Sequence, residues 1–180
     1  TLKQENGAGW RSTLNAKEAD ISSGTIKLDT GEIFIYGNAD DGSQFNISGG
    51  TFEMNDSNIS TYPAMSDGDN SQKGAAMTVS GGTFKMNESS LGRENSGDLD
   101  ISGGEFTLEN GSAIFHDGET GDINISGGTI SLKDSSIIRG GDYQSEDGKP
   151  ASGNINITGG TINVSGSSAE IASVGNIKIA

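Results

Sequence analysis

The residues of this chain able to do chemistry are acids, a few bases and one histidine. There are 25 Asp and Glu against 11 Lys and Arg, with a single His116 and no cysteine. Without cysteine there are no thiolate nucleophiles, no disulfides and no Cys-type zinc sites. Carboxylates can cleave polysaccharides, but paired catalytic acids must stand roughly 5–9.5 Å apart on one face. Asp100 and Glu105 flank one Ser-Gly-Gly corner and are the near pair in sequence. Asp20 and Asp100 fall at equivalent places three repeats apart, and Glu53 and Glu105 lie two repeats apart with Lys85 between them. His116 follows Phe115 without a nucleophile at matching spacing, which predicts an exposed structural histidine. The acidic stretches 66–71 (SDGDNS) and 141–148 (GDYQSEDG) carry oxygens that suit Ca²⁺. Neither matches an EF-hand loop or the calcium-binding nonapeptide repeat, so solvated loops without a metal or other cofactor are expected. No Gly-rich phosphate loop opens a helix.

Charge narrows the partners. The net charge of −14 repels phosphate backbones and anionic lipid heads, which argues against nucleic-acid and membrane-surface binding. Hydrophobic residues make up 31% of the 180, below the usual share of about 45–50%. No apolar run approaches the ~18 residues of a membrane span, so no direct membrane insertion is expected. Twenty-nine glycines and two prolines point to disorder or to a repetitive β architecture.

The order of the residues decides between these. One phrase recurs: an apolar-x-apolar triplet, then Ser-Gly-Gly-Thr or a near variant, then a second such triplet. The copies start near 19, 45, 77, 99, 123 and 155, with a partial one at 177, giving steps of 26, 32, 22, 24, 32 and 22 residues. Alternation places every second side chain on one face, so each phrase reads as two short strands joined at a glycine corner. Glycine suits that corner because a sharp turn often needs positive φ. A polar corner such as Asn55-Asp56-Ser57 follows, then one more apolar position, Ile59. Its expected equivalents are Ile33, Leu91, Ala113, Ile137 and Ala169, which mark a third, weaker side.

Three sides and steps as short as 22 residues describe a right-handed parallel β-helix of about six coils. Stacking at ~4.8 Å would bury what one coil cannot. The predicted inner columns run through Ile47, Val79 and Ile101, through Phe52, Phe84 and Phe106, and through Met54, Met86 and Leu108. Outward columns are predicted at Thr25, Thr51, Thr83, Glu105, Thr129 and Thr161, and at Asp20, Asn46, Thr78, Asp100, Asn124, Asn156 and Lys178. Lys27, Glu53 and Lys85 alternate in sign on adjacent coils. Residues 19–180 form the predicted solenoid. Residues 1–18, with Trp10-Arg11, form an irregular or N-terminal coil whose start, TLKQENG, echoes TLENG at 107–111. Both ends lack a cap, so a longer parent chain or stacked identical neighbours are expected.

Two coils carry inserts at about 61–76 and 139–154, and both prolines fall inside them. Each has a tyrosine and several acids: Tyr62, Asp67 and Asp69 in one, Asp142, Tyr143, Glu146 and Asp147 in the other. Insertions gathered on one edge of a solenoid often make its binding face, so these seven are the candidate ligand-binding residues. The plainer alternative is two tolerated surface loops. Eight Asn-x-Ser/Thr triplets, several inside strands too closely spaced for glycans, read as by-products of the repeat and favour a prokaryotic source.

The six Ser-Gly-Gly-Thr-like corners and their flanking triplets resemble the β-helical passengers of bacterial autotransporter adhesins and related large secreted surface adhesins. That resemblance implies display outside the cell, on the bacterial surface or in a biofilm, and attachment to host or bacterial glycans or proteins. The expected function is therefore a rod-like structural and adhesive module, not an enzyme. A polysaccharide-acting β-helix enzyme and a self-associating, end-to-end filament subunit are the alternatives.

Overall fold

The computed structural model describes residues 2–4, 12–16, 18–37, 44–63, 75–94, 98–117, 121–141 and 153–180, and no helix occurs among them. The described strands are β1 (Leu2–Gln4), β2 (Ser12–Ala16), β3 (Ala19–Ile21), β4 (Thr25–Asp29), β5 (Gly31–Gly37), β6 (Gln44–Ile47) and β7 (Thr51–Asn55). They continue as β8 (Asn58–Pro63), β9 (Ala76–Val79), β10 (Thr83–Asn87), β11 (Ser90–Glu94), β12 (Leu99–Ile101), β13 (Glu105–Glu109) and β14 (Ala113–Asp117). The last are β15 (Ile123–Ile125), β16 (Thr129–Lys133), β17 (Ile137–Gly140), β18 (Ile155–Ile157), β19 (Thr161–Ser165), β20 (Glu170–Ser173) and β21 (Ile177–Ile179).

Every third strand joins the same sheet. Sheet A is β1-β4-β7-β10-β13-β16-β19, sheet B is β2-β5-β8-β11-β14-β17-β20, and sheet C is β3-β6-β9-β12-β15-β18-β21. The pairings are parallel, as in β7 with β10, β8 with β11 and β9 with β12. The fold is a three-sided parallel β-helix with seven described strands in each sheet. The layer beyond the six full phrases comes from β1 and β2, which pair with β4 and β5. Leu2 stands opposite Ile26 and Gln4 opposite Leu28. Through Leu28, Met54 and Met86, Gln4 falls level with Leu108, two residues from an alignment on the shared Thr-Leu. A two-residue slip keeps the same face inward, so alternation alone could not detect it.

Like residues stack on like inside. Phe52, Phe84 and Phe106 are wholly buried, with ring centroids 4.4 and 4.5 Å apart and planes within 6° of parallel. Strand spacing sets that separation, because each ring stands on the coil beneath it. Ile47, Val79, Ile101 and Ile125 form a second buried column and Met54, Met86, Leu108 and Leu132 a third. Val164, Ile177 and Ile179 are exposed on β19 and β21, the last described strands of their sheets.

The two corner glycines act for different reasons. The second, Gly50, Gly82 or Gly104, has φ near +100°, which a Cβ opposes. The first lies against the coil below: a Cβ on Gly81 or Gly103 would sit 2.4 or 2.3 Å from the carbonyl oxygen of Ser48 or Ser80. The coil starting at Ala19 has Ser23 at that first position. Its strand β3 ends sheet C, with no described strand beneath it.

A column of buried serines supports the corner between sheets A and B. Ser89 Oγ accepts the Ser57 N–H at 3.1 Å and donates to the Asn87 carbonyl at 2.7 Å. Ser112 Oγ accepts from Ser89 N–H and donates to Glu109 in the same way. The residue at the bend takes a left-handed conformation, with φ between 44° and 54° at Thr30, Asp56, Glu88 and Asn110.

This corner corrects the predicted third side. Ile59 aligns with Ile33 and Leu91 as expected, but Leu91 aligns with Ile114, Ile114 with Ile138 and Ile138 with Ile171. Ala113, Ile137 and Ala169 are not in the column. The cause is corner length: Asn87 pairs with Glu109, but Leu91 pairs with Ile114, so one residue is added at Asn110-Gly111. A second is added before β20. The third side is a full seven-stranded sheet, no weaker in strand count than the others. The same slip moves His116 to the inward parity of Ile114, and it is completely buried rather than exposed.

Candidate binding surfaces

Of the seven predicted ligand-binding residues, Tyr62 lies in the described structure. Its ring meets Phe34 edge to face, centroids 5.0 Å apart at 88°. Asp67, Asp69, Asp142, Tyr143, Glu146 and Asp147 lie outside the described residues. The places where both inserts join the fold are described. The chain leaves sheet B after Pro63 and after Gly141, and is described again from Ala75 and from Gly153, just before β9 and β18 of sheet C. Strands β8 and β17 are three apart in sheet B, which is about 14 Å at strand spacing. Both inserts therefore leave the same corner of the solenoid.

Beside those junctions, sheet B has an outer surface that alternation did not reveal. Phe34, Ser60, Gly92, Phe115 and Arg139 share one register position across β5, β8, β11, β14 and β17. Phe115 is nearly buried because Gly92 lets it lie flat: a Cβ there would be 2.6 Å from the ring. The Arg139 guanidinium reaches both oxygens of Asp117, at 2.7 and 2.6 Å. Both contacts come from the one Nη2 nitrogen.

Sheet A carries an open groove of about 570 Å³ that crosses β4, β7, β10 and β13. One wall is Lys27, Glu53, Lys85 and Thr107, consecutive in register. Lys85 thus pairs with Thr107, and Glu105 belongs to the neighbouring column with Thr83, so Glu53 and Glu105 do not share a column. The Lys27 ammonium hydrogen-bonds Glu53 and holds its carboxyl below the ordinary value, with a smaller contribution from Lys85. The facing wall is an amide ladder. Asn55 Nδ2 donates to Asp29 at 2.9 Å, Asn87 to Asn55 at 2.7 Å and Asn110 to Asn87 at 2.5 Å. Beyond it, Lys133 hydrogen-bonds Glu109 at 2.8 Å, which raises the lysine pKa.

Sheet C has the predicted Asp/Asn column. Asn46 donates to Asp20 at 2.8 Å, Asn124 to Asp100 at 2.9 Å and Asn156 to Asn124 at 3.0 Å. A second file beside it, missed in the sequence, joins Asp98, Asp122 and Asn154 through main-chain N–H donors. Asp100 therefore stands on sheet C, bound to Asn124, while Glu105 stands on sheet A across the corner. Among the described residues, no group of three or more His, Asp and Glu is placed to hold a metal ion.

Comparison with protein-family models, with curated proteins and with solved structures gives no match to this chain.

Proposed function

We propose that this chain is a rod-like structural and adhesive segment of an extracellular bacterial surface or biofilm adhesin. It spans distance by stacking coils and attaches to host or bacterial glycans or proteins through its inserts and polar outer columns. The supporting observation is that both long inserts leave one corner of the solenoid, at β8 and β17 of the same sheet. Variation gathered on one edge of an otherwise regular stack is how solenoids carry binding surfaces. The stack supplies a straight, repeated frame, so weak contacts along it add as avidity instead of requiring one deep pocket.

The test is whole-cell and glycan-array binding by the purified chain, with and without each insert replaced by a short Gly-Ser link. Binding that falls when both inserts are removed, with the β-sheet circular dichroism intact, supports the reading. Absence of binding to every cell type and glycan by the unaltered chain refutes it.

A further inference from the structure

We propose that the groove on sheet A is a second attachment site, and that its ligand is an extended, uncharged polysaccharide strand lying along the solenoid axis. The proposal rests on the reading of the chain as an attachment module and places a specific ligand class on sheet A, while the inserts leave the solenoid after strands of sheet B.

Shape gives the first argument. The groove crosses four strands of one sheet, so it runs across the strands and along the stack. Three strand spacings make about 14 Å, enough for a few linked sugar rings. Its volume of about 570 Å³ lies in the range of pockets that enclose small ligands, roughly 300–1,000 Å³. It opens to solvent along its length, which suits a polymer that enters and leaves at the ends.

Charge gives the second. Lys27 and Lys85 share the groove with Glu53, Asp29 and Glu109. A chain of net charge −14 with such a groove has no cationic track for a polyanion. The two lysines also interrupt any anionic track for a polycation. Groups of both signs, alternating over a short distance, suit hydroxyls, which both donate and accept.

Order gives the third. Asn55 and Asn87 each spend one N–H on the coil below, and this fixes their amide planes. Each keeps a second N–H and a carbonyl lone pair for a ligand. The Lys85 side chain is exposed and, among the described residues, makes no hydrogen bond or ion pair, so its ammonium donors face a ligand in the groove. Asn55 and Asn87 stand on adjacent strands, so a polymer with a short repeat meets the same amide again one unit on. Among the described residues no aromatic ring lines the groove, which makes each contact weak and the ligand's length the source of affinity.

The experiment uses the full chain and a series of neutral β-glucan oligosaccharides of increasing length, read by NMR amide and side-chain shifts. Polygalacturonate and a chitosan oligomer provide the anionic and cationic arms. The expected result is saturable shifts at Asn55, Asn87 and Lys85 with the neutral series, tightening with length. The Asn55→Ala/Asn87→Ala double variant is expected to weaken binding by roughly tenfold or more, as loss of about one net hydrogen bond or more implies. The Asn163→Ala variant, on the same sheet beyond the groove, is expected to leave it unchanged. Binding by either charged polymer but not the neutral series overturns the proposal, as do shifts confined to the inserts. Equal binding by the double and parent chains also overturns it. Cell attachment measured in parallel separates the two readings: attachment that is lost with the inserts but kept by the groove variants leaves the adhesive reading standing without this site.

Discussion

Replacing Gly103 by alanine separates two accounts of the Ser-Gly-Gly corner. If glycine served only to reach positive φ, Gly103 would be an easy position to change, because its φ lies outside the left-handed range. Alanine would even stabilise by about 0.4–1 kcal/mol, through the unfolded chain. The contact geometry predicts the opposite sign. The new Cβ would be 2.3 Å from Ser80 O, and real contacts of this kind do not fall below 3.0 Å, so the coils must part by at least 0.7 Å. The bonds that hold them are Ser102 N–H to Val79 O and Glu105 N–H to Gly82 O, each 2.8 Å long. A shift of that size carries both past normal hydrogen-bond length. The loss is on the order of 2–4 kcal/mol, from two net bonds and the polar groups they leave unmatched. Gly111 is the control: its φ is +80° and a Cβ there meets nothing within 4 Å, so alanine costs only the left-handed strain, about 1–2 kcal/mol. Urea unfolding followed by circular dichroism ranks the two, and hydrogen exchange at the Ser102 and Glu105 amides reads the corner directly. A Gly103→Ala chain as stable as the parent, with Gly111→Ala less stable, would refute the contact account.

Three further substitutions test the packing and the charge pairs. Ser112→Ala removes the acceptor of the Ser89 N–H inside a buried corner. Its expected cost is about 1–3 kcal/mol in urea unfolding, and an effect below the scatter of surface substitutions would contradict the buried-serine assignment. Phe84→Ala empties the middle of the ring column, which should cost about 3–5 kcal/mol; a value near that of a surface change would mean the rings do not stack. Lys27 holds the Glu53 carboxyl below its ordinary value, so the pair stabilises above that value and loses its effect as pH falls through the lowered pKa. Lys27→Met should raise the Glu53 midpoint in an NMR titration, and an unmoved midpoint would show that the pair is not formed in solution.

Sheets A and C were legible in the sequence because the corner between them never changes length. Ser-Gly-Gly is held there by a positive φ and by a carbonyl one coil away, so no coil can add a residue without losing the parallel ladder. Counting from that phrase therefore gives the register of Phe52, Phe84 and Phe106 and of Asp100 and Asn124 correctly. The corner between A and B has no such limit. It bends at a left-handed residue, exposed at Asn110, and Asn110-Gly111 takes an extra residue there while Ser112 Oγ still reaches Glu109 O. Distance from the glycine phrase thus fails by one at Ala113 and at Ile137, and the face assignments of β14 and β17 invert, His116 included. The serine column itself had a signal in Ser57, Ser89, Ser112 and Ser136, which recur just after the bend residues Asp56, Glu88, Asn110 and Asp134. Each also fits an ordinary turn residue, and only the stacking distinguishes the two.

The binding surfaces were harder to read, and the reason lies in what the repeat constrains. The core columns and the corner glycines fix the pitch of the stack, whatever points outward. Lys27, Glu53 and Lys85 could exchange places with threonine or asparagine at little cost to the fold, since outward cross-strand pairs contribute only about 0.2–1 kcal/mol. A groove of graded charge, an amide ladder with spare donors, and a pair of inserts at one corner are therefore choices the fold leaves open. Departures from the repeat at outward positions are where a ligand would leave its mark. In sheet A these are Glu105 interrupting a threonine column and Thr107 ending the run of charges at Lys85. Both changes fall on β13, the last strand the groove crosses, so the outward sequence changes character where the groove ends.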